Sequence, residues 1–307
     1  MRTIRTHVDQ PLAVGRTLRL PEDATTHLLR VLRLGVGATV RLFNGDGHDY
    51  DARLLTPDRR GVEVEVIARH ALDVESPLRI TLAQGIARGE KMDLVLQKGT
   101  ELGIAAFAPV VTERTEVKLD ADRAEKRLAH WRGVVASACG QSGRATVPRV
   151  ADPVPLATYA AAETADVRLV LDPRGGRGAG TLDVPPGATI ALVAGPEGGL
   201  SERDLATLHA AGFTGLRLGP RILRTETADV RLVLDPRGGR GAGDLSLPAG
   251  ATIALVAGPE GGLSERDLAT LHAAGFTGLR LGPRILRTET AGLAAIAALQ
   301  ALHGDLG

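Results

Sequence analysis

Two short stretches carry residues whose types and spacing could do chemistry, and each occurs twice. Gly195-Pro196-Glu197-Gly198-Gly199 follows the apolar run "TIALVA" and precedes Ser201, and the same five residues recur at Gly258 to Gly262 ahead of Ser264. Glycines at the carboxyl end of a buried strand let backbone N–H groups come close to a ligand, and such strand ends are where α/β sheets bind small molecules. An ordinary tight strand-to-helix turn would use the same residues, so "GPEGG" alone leaves both readings open. The second stretch, "LGPRILRTETA", runs from Leu218 to Ala228 and again from Leu281 to Ala291. Its Leu-Gly-Pro stops a strand. Arg221, Arg224, Thr225 and Glu226 then crowd together in repeat one, as do Arg284, Arg287, Thr288 and Glu289 in repeat two. Paired arginines suit an anion, although a solvated helix start has the same composition.

Other chemistries find no support. "GGRGAG" at Gly175 to Gly180 does not place glycine at the first, third and sixth positions together, so the dinucleotide fingerprint fails. There is no Walker loop and no His-Glu-x-x-His, and "GLSER" lacks the second glycine of a nucleophile elbow. No metal site is expected. The lone Cys139 can form neither an internal disulfide nor a cysteine zinc site and reads as a small buried residue.

The elements that must position these stretches change character along the chain. Up to about residue 72, "ATVRLFNGDGHDYDARLL" alternates apolar and polar residues about Asn44-Gly45-Asp46-Gly47, and "GVEVEVIARH" follows at period two. This predicts a hairpin within a small β-barrel or sandwich, with a short helix in "ATTHLLRVLRL". From 73 to 307 the chain alternates apolar strands ("LRITLAQGI", "AAFAPVVT", "DVRLVLD", "TIALVAG", "FTGLRLG") with amphipathic helices, the pattern of a parallel sheet covered by helices. Ser201 is the expected cap of the last helix, with Asp204 three residues on and Gly212 at its end.

Residues 164–226 repeat as 227–289, a period of 63, differing only at Thr181/Asp244, Asp183/Ser246, Val184/Leu247 and Pro186/Ala249. All four differences fall in one loop. Solenoid units drift and number three or more, so this is a tandem duplication of part of a domain, and the unit lacks that domain's first half. At 307 residues with a net charge of +1, total charge decides nothing about nucleic acid. Its distribution says more: Arg2, Arg5, Arg16, Arg19, Arg30 and Arg33 give the first domain a local basic excess suited to RNA phosphates. With 2% aromatic residues, base stacking is a poor model for such contacts. No apolar run is long enough for a membrane span and the amino end lacks a secretory pattern, so a cytoplasmic location is expected.

"GPEGG" and "LGPRILRTETA", taken with "GEKMDLVLQKGTELGI", "TERTEVKL" and "ASACGQSGR", resemble the small-subunit ribosomal RNA methyltransferase E family. The resemblance spans the chain apart from the duplicated unit. It implies a PUA-like RNA-binding barrel over 1–72 and a SPOUT methyltransferase domain over 73–307, with a trefoil-knotted parallel sheet and helices on both faces. It further implies a homodimer that uses S-adenosylmethionine to methylate ring nitrogen 3 of a uridine in ribosomal RNA. The family's cofactor residues fall on Leu171, Gly195, Glu197, Gly199, Leu218, Gly219, Ile222, Leu223 and Thr225. In repeat two they fall on Leu234, Gly258, Glu260, Gly262, Leu281, Gly282, Ile285, Leu286 and Thr288. Under that resemblance Glu197, Glu226, Glu260 and Glu289 are candidate bases for the uridine imide, and Arg221, Arg224, Arg284 and Arg287 could stabilise the anion or hold a phosphate.

Two rivals remain: a double-knot variant that binds cofactor or RNA without efficient turnover, and a nucleotide-dependent doubly wound enzyme, disfavoured by the missing fingerprint. Identical sequences carry identical local preferences. Both repeats are therefore expected to fold on one enlarged sheet with two successive knots, repeat two having the better-formed cofactor site because "GLAAIAALQALHGDLG" follows it. The competing outcome is that one copy is extruded as a disordered or swapped insertion and a single knot remains.

Overall fold

A computed structural model of the chain describes residues 5–58, 61–116, 121–172, 177–178, 182–217, 230–235, 238, 240–245, 253–256, 263–273, 275–282, 290, 294 and 297–298, in which the apolar strand segments form three sheets. Met1–Glu75 with Arg132–Pro148 form one unit, and Ser76–Trp131 with Arg149–Gly307 the other.

The first unit contains β1 (Arg5–His7), β2 (Thr17–Arg19), α1 (Glu22–Thr26), which runs on into a π-helical turn at His27–Val31, then β3 (Thr39–Phe43), β4 (His48–Leu54) and β5 (Glu63–Ala71). The strand order is β1-β3-β4-β5-β2, with β1 parallel to β3 and the other pairs antiparallel. Where a barrel was expected, the pairing among the described residues is an open sheet. Its two end strands have three residues each, too few to offer much of a ladder. The hairpin forms as the sequence predicts. Asn44 Oδ1 accepts from the Asp46 N–H, Asp46 Oδ1 accepts from the His48 N–H, and Gly45 and Gly47 take the positive φ that the turn requires. Residues 132–148 join this unit because Cys139 and Ala145 pack on Phe43. Burial pushes the Cys139 thiol up to about 12, so it stays protonated.

The second unit runs through β6 (Arg79–Gly85), α2 (Glu90–Leu102), β7 (Ala106–Val111), α3 (Ala121–Ser142, whose later half belongs to the first unit), β8 (Arg149–Val150), β9 (Val154–Pro155) and α4 (Leu156–Ala162). Repeat one supplies β10 (Val167–Leu171), β11 (Arg177–Gly178), β12 (Thr189–Ala194), α5 (Glu202–Ala210) and β13 (Thr214–Arg217). Repeat two supplies β14 (Val230–Leu234), β15 (Arg240–Gly241), β16 (Ile253–Val256), α6 (Glu265–Ala273) and β17 (Thr277–Arg280).

Repeat one completes a parallel sheet of order β11-β13-β10-β12-β6-β7-β8, with β9 also on β7. Period-two alternation sends Val170, Ala191 and Val193 to one face, with Leu156 of α4 and Leu205, Leu208 and Phe213 at α5, and Leu169, Ile190 and Leu216 to the other. Repeat two does not enlarge this sheet. It forms a separate parallel sheet of order β15-β17-β14-β16, because β6 already pairs with β12 from Arg79 to Gln84 on one side and is joined to β7 on the other. The threading expected of two knots runs through residues 218–229 and 283–307, which lie almost wholly outside the described residues.

Candidate functional site

Parallel pairing brings the carboxyl ends of β10, β12 and β13 side by side, with Val170 opposite Val193 and Leu171 opposite Leu216. The Asp172 N–H extends the ladder to the Leu216 carbonyl at 3.1 Å, and the Asp172 side chain is buried at this edge. Apolar Leu171, a buried carboxylate and the start of the "GPEGG" loop therefore meet at one edge of the sheet. Repeat two builds the same strand ends: Leu234 lies opposite Leu279, and the Asp235 N–H donates to the Leu279 carbonyl at 3.1 Å.

The loop from Gly195 to Gly199 is held by side chains from outside the repeat. Gln84 Nε2, at the end of β6, donates to the Gly195 and Gly85 carbonyls at 2.9 Å each. Arg114 Nη1 donates to the Gly198 carbonyl at 2.7 Å. Glu197 Oε1 accepts from the Arg88 N–H at 3.1 Å and pairs with Lys91 Nζ at 3.4 Å. Its own backbone N–H and that of Arg88, helped by Lys91, hold its carboxyl below the usual range. Within the loop, the Gly199 N–H closes a turn on the Pro196 carbonyl. A Cβ on Gly195 would stand 2.7 Å from the Gly199 carbonyl carbon, and one on Gly85 2.5 Å from Pro196 Cδ. These glycines are required because backbone meets backbone. Just beyond the loop, Ser201 caps α5 by accepting from the Asp204 N–H and donates its own hydroxyl proton to Glu113 Oε2 at 2.5 Å.

Of the remaining expected cofactor and catalytic residues, Leu281 and Gly282 of repeat two line a cavity of about 320 Å³ together with Leu102, Arg280, Ala294 and Ala298. Nearby, Thr290 Oγ1 donates to the buried Glu101 carboxylate at 2.5 Å. Leu218, Gly219, Arg221, Ile222, Leu223, Arg224, Thr225 and Glu226 lie outside the described residues, as do Gly258, Glu260, Gly262, Arg284, Ile285, Leu286, Arg287, Thr288 and Glu289.

A family model for an RNA methyltransferase domain matches residues 74–234 and matches again over 228–300, and a model for an RNA methyltransferase PUA domain matches 20–67. Ribosomal RNA small subunit methyltransferase E of Bacillus subtilis is 30% identical over 71% of this chain and 89% of its own length. The chain belongs to the small-subunit ribosomal RNA methyltransferase E family. The crystal structure of the Neisseria gonorrhoeae member bound to S-adenosyl methionine is 40% identical, with a TM-score of 0.68 over 73% of this chain and 92% of that one. A Legionella pneumophila protein solved with bound SAM reaches a TM-score of 0.69 at 36% identity, over 73% of this chain and 92% of its own. Under three quarters of this chain thus accounts for nine tenths of each relative, and the second family match opens at the start of repeat two.

Against this methyltransferase family background, the arginines of the first unit divide. Arg5 is not at the surface: its guanidinium pairs with Asp49 at 2.6 Å, donates to the Cys139 and Arg144 carbonyls and lies over the Phe43 ring, so it ties the sheet to residues 139–144. Arg19 is neutralised by Asp58 and Glu63. Arg16 is exposed and donates to the Pro11 carbonyl, Arg30 and Arg33 are exposed, and Arg2 lies outside the described residues. Gln84, Arg88, Lys91, Glu113 and Arg114 were not singled out from sequence. Lys91 and Arg114 sit inside stretches that carried the family resemblance, but only the fold shows that they converge on one loop.

Proposed function

We propose that the chain transfers a methyl group from S-adenosylmethionine to ring nitrogen 3 of a uridine in small-subunit ribosomal RNA. The observation that carries this reading is the edge where β10, β12 and β13 end together beneath a loop clamped by Gln84 and Arg114. The residues there fit the cofactor. Leu171 and backbone groups at the strand ends suit an adenine edge, the Asp172 carboxylate suits a sulfonium, and among the described residues beyond the chain neighbours only Arg114 comes within 4 Å of where Cβ atoms on Gly198 and Gly199 would sit. When bound, the cofactor supplies the methyl group; the chain's task is alignment and charge.

The uridine imide must lose its proton. Glu197 is held by Arg88 and Lys91 and kept a weak base, so we assign it to anchoring the loop, and Glu226 or Glu289 to the proton. The arginines of "PRILR" hold the developing anion or a phosphate. In the first unit, Arg16, Arg30 and Arg33 meet the RNA backbone, with Arg5 serving the fold instead. The chain acts in the cytoplasm as a homodimer, which sedimentation of the full chain tests. The deciding experiment incubates the chain with labelled S-adenosylmethionine and unmethylated small-subunit RNA, then digests the RNA to nucleosides. Label in 3-methyluridine is expected, and label confined to ribose or to another base refutes the assignment.

A further inference from the structure

We propose that Gln84 and Arg114 are positioning residues that select the Gly195–Gly199 loop of repeat one as the single working cofactor loop of the chain. This rests on the methyltransferase reading and concerns which loop serves it. Gln84 is 6% exposed, and one amide nitrogen reaches two carbonyls at 2.9 Å, so neither carbonyl can turn without stranding a buried donor. Arg114 fixes the Gly198 carbonyl from the segment after β7. Peptide planarity then orients the Gly195–Pro196 and Gly198–Gly199 amide planes through their held carbonyls, and the turn from the Gly199 N–H to the Pro196 carbonyl closes the segment between them.

The loop sequence occurs twice, whereas Gln84 and Arg114 each precede the duplicated segment and occur once. β6 pairs with β12 from Arg79 to Gln84, which brings Gln84 to repeat one. One set of anchors can serve one loop, so the duplication adds a copy of the sequence without adding a second working site.

The test titrates the full chain with S-adenosylmethionine by calorimetry and follows methyl transfer to RNA. The wild-type chain should bind one equivalent. Gln84→Met and, separately, the exposed Arg114→Ala should each raise Kd and KM for S-adenosylmethionine about tenfold, with KM for RNA unmoved and kcat at saturating cofactor within about twofold. Arg114→Lys, which retains a donor, should recover part of the affinity. Arg114→Ala lies on the surface and keeps the test alive should Gln84→Met fail to fold. Two equivalents of equal affinity in the wild type, or wild-type affinity in Arg114→Ala, overturn the proposal. Absence of any binding by the wild type overturns the underlying methyltransferase reading instead.

Discussion

Repeat one and repeat two put nearly the same 63 residues into two settings, and the two differ in what the sequence alone cannot supply. Local structure is reproduced. Val167 faces Ile190 as Val230 faces Ile253, α5 and α6 have the same nine residues, and His209 and His272 each contact the carbonyl of the phenylalanine four residues on at 2.9 Å. Burial is reproduced only in part: Leu169, Leu205 and Leu216 are buried and so are their counterparts Leu232, Leu268 and Leu279, but the rest of the helix face is not matched. Ser201, Asp204, Leu208 and Phe213 are buried, whereas Ser264 and Asp267 are exposed and Leu271 and Phe276 only half-buried. β6 lies beside β12, and α4 packs on α5; both belong to the half of the domain that was not duplicated. Strand, turn and cap preferences travel with the segment, while a core needs the partner surface.

Core truncation should separate the repeats most strongly. Phe213 is 3% exposed and packs in the cluster of Val170, Val193 and Leu208, so Phe213→Ala should cost about 4 kcal/mol. Phe276→Ala, in the half-buried setting, should cost about half that or less. Urea unfolding of the two variants measures both, and equal losses would mean that repeat two has a core as complete as repeat one.

The loop glycines should give the next largest difference, read in cofactor affinity. Gly195→Arg forces a side chain onto the Gly199 carbonyl carbon and should weaken S-adenosylmethionine binding on the order of a hundredfold. Gly258→Arg should cost distinctly less, since the Gln84 and Arg114 anchors hold the other loop. Calorimetry on both variants decides; a larger loss at Gly258 would move the working site to repeat two.

A finer division separates the local and tertiary parts of one residue's role. Ser201 and Ser264 both accept from the aspartate N–H three residues on, and losing either cap should cost about 1 kcal/mol. Ser201 also donates to Glu113, whereas Ser264 turns its hydroxyl onto its own Asp267. Ser201→Ala should therefore cost about 1 kcal/mol more than Ser264→Ala in thermal unfolding. Combining Ser201→Ala with Glu113→Gln should add little beyond the Ser201 change if that contact is the source.

The same division explains what was legible in the sequence. The hairpin at Asn44–Gly47, the Ser201 cap and the Gly212 stop depend on neighbours within a few residues, so the chain announces them. The sequence does not show where repeat two goes, because identical strands compete for the same edge and β6 offers its free side to only one of them. Arg5 differs from a surface arginine for a related reason: a basic excess in sequence does not show that Asp49, more than forty residues away, takes up the charge. At the site, "GPEGG" was visible as a motif, whereas Gln84 and Arg114 carry no local mark of their role. They reach the loop only after the parallel sheet has brought β6 beside β12 and the segment after β7 beside Gly198.

Acid should give the smallest separation, at the helix caps. Asp267 accepts from the Ser264 hydroxyl and N–H, and these bonds hold its carboxyl below the ordinary carboxylate range. A carboxyl whose folded value is depressed stabilises the fold fully above its unfolded value near 4, and that contribution disappears as pH falls through the lower folded value. Because α6 is mostly exposed, with Leu268 as its buried anchor, little else holds its first turn when Asp267 takes up a proton. In repeat one, Ser201 and Asp204 at the start of α5 are buried, and Leu205 and Leu208 remain packed in the sheet's core whatever happens at the cap. Hydrogen exchange of the full chain between pH 6 and pH 3, corrected for intrinsic rates, should show protection falling first in the opening turn of α6 and later in α5. If both helices open together at one pH, the caps are governed by unfolding of the whole unit and not by the setting of each repeat.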